Sequence, residues 1–160
     1  IVHNVFYRVG MFEAFDEFFE EVFARFEQPD SWRLFPETLA VLTALKEQGF
    51  ELGIISNFDS RLFSVLRGLG IADLFDTVTI SSLAHAAKPS ARIFQHALEK
   101  HAVDPEDALH VGDSERDDVK GAQSVGLTGM LLARGEVARP SSGTTISTLS
   151  ELLPLLSRLQ

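Results

Sequence analysis

Between His110 and Ala122 the sequence runs HVGDSERDDVKGA, which crowds Asp113, Glu115, Asp117 and Asp118 directly behind a short apolar stretch. Carboxylates are hard oxygen ligands, so such a cluster suits a divalent cation. It also suits a turn followed by a solvated helix, because acidic side chains favour helix N-termini. Two other places in the chain bear on the choice. Ser56 and Asn57 close the apolar run GIISN, and Lys88 stands just before Pro89 in SSLAHAAKPS. A hydroxyl, an ammonium and carboxylates are together what a phosphoryl group with Mg2+ requires: donors and a fixed cation for the phosphate oxygens, hard ligands for the metal. Singly, each has a plainer reading: Ser56 as a strand-end serine, Lys88 as a solvated lysine in an exposed loop, Asp113 as a helix N-cap.

These residues can meet only if the elements between them bring their ends together. From Met11 to Phe26 apolar residues recur at three- and four-residue spacing among acidic ones, an amphipathic helix that Pro29 ends. Seven of the thirteen Phe lie between Phe6 and Phe26, which gives this segment one apolar face. FPETLAVLTALKEQGF predicts a helix closed by Gly49, FELGIISN a buried strand, SRLFSVLRGLG a helix and DTVTISS a strand. SARIFQHALEKH predicts a helix with Ser90 as N-cap, ALHVGD a strand, DDVKGAQSVG a helix stopped by Gly126, and LTGMLLA a strand. ISTLSELLPLLSRL reads as a final helix disturbed by Pro154. Strands and helices in alternation predict an α/β fold with right-handed crossovers and a parallel sheet covered on both faces. In such a sheet ligands bind beyond the carboxyl ends of the strands. Ser56, Lys88 and Asp113 then share one edge. Gly112 allows a tight turn after its strand, from which Asp113 and Asp118 can face one point.

The stretches ELGIISNFDSRL, AAKPSARIFQHAL and HVGDSERDDVKGAQSVGL resemble the second, third and fourth motifs of the haloacid dehalogenase-like (HAD) hydrolases. Most members of that family are Mg2+-dependent phosphatases. The resemblance implies a three-layer Rossmann-like core over residues 33–160, lacking its first strand, with residues 1–32 as part of a helical cap. It also implies roles. Ser56 would hydrogen-bond the transferring phosphoryl oxygen with the Asn57 backbone assisting, and Lys88 would neutralise that group and the nucleophile. Asp113 would be a direct Mg2+ ligand, and the second acidic ligand would be Asp118, with Asp117 the weaker match. The substrate implied is a small phosphorylated metabolite, attacked through an aspartyl-phosphate.

One part of the pattern is absent. The family's first motif, DxDx[TV], supplies the attacking Asp, and this sequence contains no D-x-D. Asp59, in NFD, follows the second motif and stands in the wrong place to replace it. The chain alone is therefore expected to be inactive. The family's missing strand lies mid-sheet between the strands ending at Ser56 and Asp113. Three arrangements follow: a segment outside this sequence fills the slot, the two strands pair directly, or VHNVFYRV moves in. A noncatalytic module for a phosphoryl ligand or a protein is the alternative function. A receiver-like signalling domain also uses acids and a lysine, but it places the acids before the lysine, whereas here the order is Ser, Lys, Asp.

Composition narrows the rest. A chain of 160 residues that is 45% hydrophobic holds one core, with room for an appendage. A net charge of −9 with no Lys/Arg cluster argues against nucleic acid. Without cysteine there is no disulfide and no thiolate metal site. No apolar run approaches the roughly 20 residues of a membrane span, so a membrane partner is not expected and the reading is cytoplasmic or organelle matrix. His3, His85, His96, His101 and His110 show no ligand spacing. The Phe-rich helix offers a face for self-association.

Overall fold

The structure, a computed structural model, describes residues 15–135 and 144–157. Helix α1 (Phe15–Arg25) carries the acid-and-Phe pattern expected of it, and the part expected before Phe15 lies outside the described residues. Phe18, Phe23 and Phe26 stay 38%, 44% and 38% exposed. A 3-10 turn at Pro29–Ser31 leads to α2 (Thr38–Glu47), which buries Val41 and Leu45. Gly49 ends that helix at φ +86°, a conformation open to glycine without strain. Then come β1 (Gly53–Ser56), α3 (Arg61–Gly68), β2 (Thr77–Ile80) and a short α4 (Ser81–Ala84). Next are α5 (Ala91–His101) and β3 (Leu109–Gly112). A π-helical turn over Glu115–Lys120 runs into α6 (Gly121–Gln123), and β4 (Thr128–Leu132) follows. Together these form an α/β, Rossmann-like fold. Among the described residues no helix is long and apolar enough to cross a membrane.

The parallel pairing expected from the alternation is present, but in two sheets. β1 pairs with β2, Gly53 opposite Thr77 and Ser56 opposite Ile80. β3, β4 and β5 (Thr144–Ile146) form a second parallel sheet in that order. Among the described residues β1 and β3 do not pair, so direct pairing across the slot is ruled out. The segment VHNVFYRV lies outside the described residues.

Helix α5 joins the halves. Its Ile93 and Phe94 are fully buried in one cluster with Ala84, Ala122 and Leu127, and both Ile55 of β1 and Ala108, just before β3, pack against that cluster. The other face of the second sheet buries Met130, Ile146 and Leu152, with Leu109 and Val111 against them. Successive residues of a strand point to opposite faces. With Leu109 and Val111 committed to this second cluster, His110 and Gly112 face the α5 side. That alternation sets up the site described below.

Three expectations need correction. The final helix expected over ISTLSELLPLLSRL is, in its described part to residue 157, a strand end, a 3-10 turn and a short helix: Ile146 ends β5, Leu149–Glu151 is the turn, and α7 covers Leu152–Leu156. The β-branched run Thr144, Thr145, Ile146 favours a strand. Thr148 and Glu151 then form a reciprocal capping box, which restarts the chain as a helix. Ser90 occupies the N-cap position of α5, yet its hydroxyl makes no capping bond. The helix expected over DDVKGAQSVG is π-helical through Lys120. Because Phe94 fills the junction of both halves, Phe94→Ala should cost about 3–5 kcal/mol in urea unfolding. Leu83→Ala, at a side chain 64% exposed, should stay within about 0.5 kcal/mol.

Candidate active site

Asp118 is the centre of the arrangement. Its residue is 3% exposed, and its carboxylate collects donors from three elements. Lys88 Nζ donates to Oδ1 at 2.6 Å, His110 Nε2 lies 2.9 Å from the same oxygen, and the Ser114 backbone N–H donates to Oδ2 at 3.0 Å. A carboxylate only accepts, so the imidazole proton toward it sits on Nε2. Burial on its own would raise the Asp118 pKa. The bonds from His110 and Lys88, with the Lys88 charge, outweigh it and hold the carboxyl well below the usual range. Phe94 meets the His110 ring edge-on, with centroids 5.2 Å apart, and so walls the imidazole on its other side. Gly112 lies directly under the carboxylate, where a Cβ would overlap the Asp118 carboxyl group. The glycine read from sequence as a turn-former is thus required by close approach.

The β1 end is tied to this centre through Lys88. The Asn57 side chain clamps the Lys88 backbone from both sides, accepting from its N–H at 2.7 Å and donating to its carbonyl at 3.0 Å. Ser56, the last residue of β1, is half-buried one residue before that clamp. Two residues beyond it, Asp59 holds Arg61 side-on, with Nε to Oδ1 at 2.8 Å and Nη2 to Oδ2 at 2.6 Å. These bonds hold the Asp59 carboxyl below its ordinary range. Asp59 is therefore already committed to a cation.

Asn57, Lys88 and Asp118 form one hydrogen-bonded chain, and Ser56 stands next to Asn57 at the end of β1 on the same rim. Asp113 belongs to the same rim by position, because Asp118 grips the Ser114 amide next to it. Asp113 itself is exposed, and none of the hydrogen bonds or ion pairs among the described residues falls on it. The Asp117 backbone N–H donates to the Ser114 hydroxyl at 3.0 Å, and its carboxylate lies 3.8 Å from the exposed Arg116 Nε. The donor chemistry fits Mg2+, which is held by one or two carboxylates with waters and substrate phosphate completing its shell. Among the described residues no three His, Asp or Glu side chains gather as a cage. Among the described residues, the exposed carboxylate of Asp113 and the buried carboxylate of Asp118 are what this acidic turn offers a metal.

Two features differ from the sequence reading. Lys88 is not a solvated loop lysine, since its side chain is 14% exposed and ion-paired. His110, which the sequence leaves as structural or solvent-facing, has a specific structural partner in Asp118. The period-2 rule could have flagged it, because His110 shares a strand face with Gly112, beside the acidic turn.

The depressed Asp118 pKa sets a pH dependence. A carboxyl whose pKa is lower when folded contributes its stability in full above the unfolded value of about 3.9, and loses it as pH falls through the folded value. Thermal unfolding followed by circular dichroism should show stability falling below about pH 4. Asp118→Asn should cost about 3–5 kcal/mol at neutral pH by stranding the Lys88 charge, and should flatten that acid limb.

A family model described as haloacid dehalogenase-like hydrolase matches residues 9–126. The chain is 33% identical over 168 residues to the haloacid dehalogenase-like hydrolase domain-containing protein 3 of Bos taurus, covering 100% of this chain and 67% of that protein. It is 37% identical over 101 residues to a glyceraldehyde 3-phosphate phosphatase of Methanothermobacter thermautotrophicus, covering 62% of this chain and 45% of the relative. Among solved structures, the HAD phosphatase from Thermococcus onnurineus superposes with a TM-score of 0.79 at 33% identity, covering 86% of this chain and 64% of that one. The chain thus spans about two thirds or less of each of these proteins. Its three motifs, its fold and these matches agree, and the chain belongs to the haloacid dehalogenase-like hydrolases.

Proposed function

We propose that this rim binds a phosphoryl group together with Mg2+, and that the intact protein is a phosphatase for a small phosphorylated metabolite. The observation that carries the reading is the Lys88–Asp118 pair, held at the carboxyl ends of β1 and β3 by the Asn57 clamp. Among the described residues, one of the three Lys88 ammonium protons is directed to protein, at Asp118, which leaves two donors for phosphate oxygens. Ser56 adds a hydroxyl from the end of β1. Asp113 and Asp118 are the residues that would hold Mg2+, which when bound neutralises charge on the phosphoryl oxygens. The phosphatase names of two relatives agree with this chemistry.

The attacking carboxylate is the part this chain does not supply. Among the described residues β1 and β3 each pair on one edge only, which agrees with a parallel strand standing between them, whose carboxyl end would emerge near Ser56 and Asp113. In this proposal such a strand, outside these 160 residues, brings an Asp that takes the phosphoryl group as an aspartyl-phosphate. The 160-residue chain binds and orients without turnover.

Two measurements check this. With p-nitrophenyl phosphate and Mg2+ the chain should release no product above the buffer rate, and robust turnover would refute the assignment of the nucleophile to another segment. Calorimetry with Mg2+ in the presence of inorganic phosphate should show saturable binding that Asp113→Asn weakens at least about tenfold. Equal affinity in that variant rejects Asp113 as the metal ligand.

A further inference from the structure

Arg61 lies at the start of α3, outside the rim, yet it is placed between α1 and the loop that carries Ser56 and Asn57. Its side chain is 15% exposed. One edge of the guanidinium is held by Asp59 through the two bonds described above, and the Arg61 backbone N–H donates to the same carboxylate at 3.1 Å. Nη1 donates to the carbonyl of Phe23, in the last turn of α1. The flat face lies over the Phe23 ring at 3.3 Å from its centroid, with the Phe58 ring at 5.4 Å. Held by Asp59 on one edge, this cation thus joins two segments that lie 38 residues apart in the chain. A planar, always-charged fork can serve a carboxylate, a carbonyl and a ring at once, which a lysine cannot.

Beside it runs a second, apolar contact. Phe58 meets Trp32 edge-on at 5.9 Å and Phe26 in a tilted contact at 6.4 Å, and the Trp32 indole donates to the Phe26 carbonyl at 3.0 Å. The loop 57–59 is therefore fastened on both sides. Asn57 grips Lys88, while Asp59, through Arg61, grips α1. We infer that Arg61 is a positioning residue which couples the end of α1 to the Ser56–Asn57 loop, so that the helix and the anion-binding rim order together. The inference rests on the phosphoryl-site reading for its functional consequence, but the coupling itself is a property of the unliganded chain.

The test perturbs one end and reads the other. Ala24→Pro breaks α1 next to the Phe23 carbonyl, far in sequence from the rim, and amide exchange is followed by mass spectrometry in the whole 160-residue chain. With Arg61 present, exchange in residues 56–60 should accelerate at least about fivefold, while buried amides near Ile93 stay unchanged. In an Arg61→Gln background the same proline should add less than about twofold at residues 56–60. The coupling is overturned if Ala24→Pro leaves residues 56–60 unchanged. It is equally overturned if the acceleration is the same in both backgrounds, because the connection would then run through Trp32 and Phe58. Asp59→Asn, which opens the same fork from the other side, should reproduce Arg61→Gln. If it preserves the response to the proline, the assignment fails. A separate arm adds inorganic phosphate with Mg2+ to the unmodified chain. Protection should appear at residues 56–58 and extend to residues 15–25. Protection confined to residues 56–58 counts against the coupling. No protection at either place overturns the phosphoryl-site reading, with the proline arm still deciding the coupling.

Discussion

The structure depends on a buried charge pair. Lys88 arrives from the β2 side of the molecule and Asp118 from the β3 side, and their 2.6 Å contact crosses the divide between two sheets that do not pair with each other. Taking both charges out of water is costly, and an apolar pair of equal volume would serve stability as well or better. What an apolar pair could not do is hold an ammonium with spare donors at a chosen point. The cost is offset locally: Asp118 gains bonds from His110 and Ser114, and the Lys88 backbone is fixed by Asn57. An exposed lysine could find a phosphate by chance. A lysine with this support is oriented before any ligand arrives, so less ordering is left to be done on binding.

Much of this could be read from residues alone. The apolar runs of β1 and β4 and the glycine stops at Gly49 and Gly126 follow from local propensity, and the motifs at Ser56, Lys88 and Asp113 follow from order and spacing. What could not be read depends on tertiary contact. His110 looks like any strand histidine until α5 brings Phe94 to one side of it and the following turn brings Asp118 to the other. Arg61 acquires its meaning only from Phe23, on a different helix. The burial of Lys88 is not legible because a Pro-flanked polar loop has no pattern that marks it. The last strand is masked in the sequence because TTISTLSELL carries a β-branched run and a helix-like leucine spacing together, and the capping box at Thr148 separates them.

The same contacts explain how a chain with a divided sheet keeps its rim together. Helix α5 supplies the apolar bridge through Ile93 and Phe94, beneath the polar bridge of Asn57, Lys88 and Asp118. Glu37, at the start of α2, adds a third tie, accepting from Arg134 at 2.7 Å and from Thr148 at 3.0 Å. Its own backbone N–H and then Arg134 hold its carboxyl down at about 2. Arg134 also stacks over Phe35, so the loop leaving β4 is anchored to the segment entering α2.

The most direct measurement of the central claim is a crystal structure of this chain grown with Mg2+ and inorganic phosphate. One anion should touch both the Ser56 hydroxyl and Lys88 Nζ, with the cation on Asp113 and the Lys88–Asp118 contact intact. A phosphate seated elsewhere while this rim stays empty, or a Lys88 that leaves Asp118 for solvent, would contradict it.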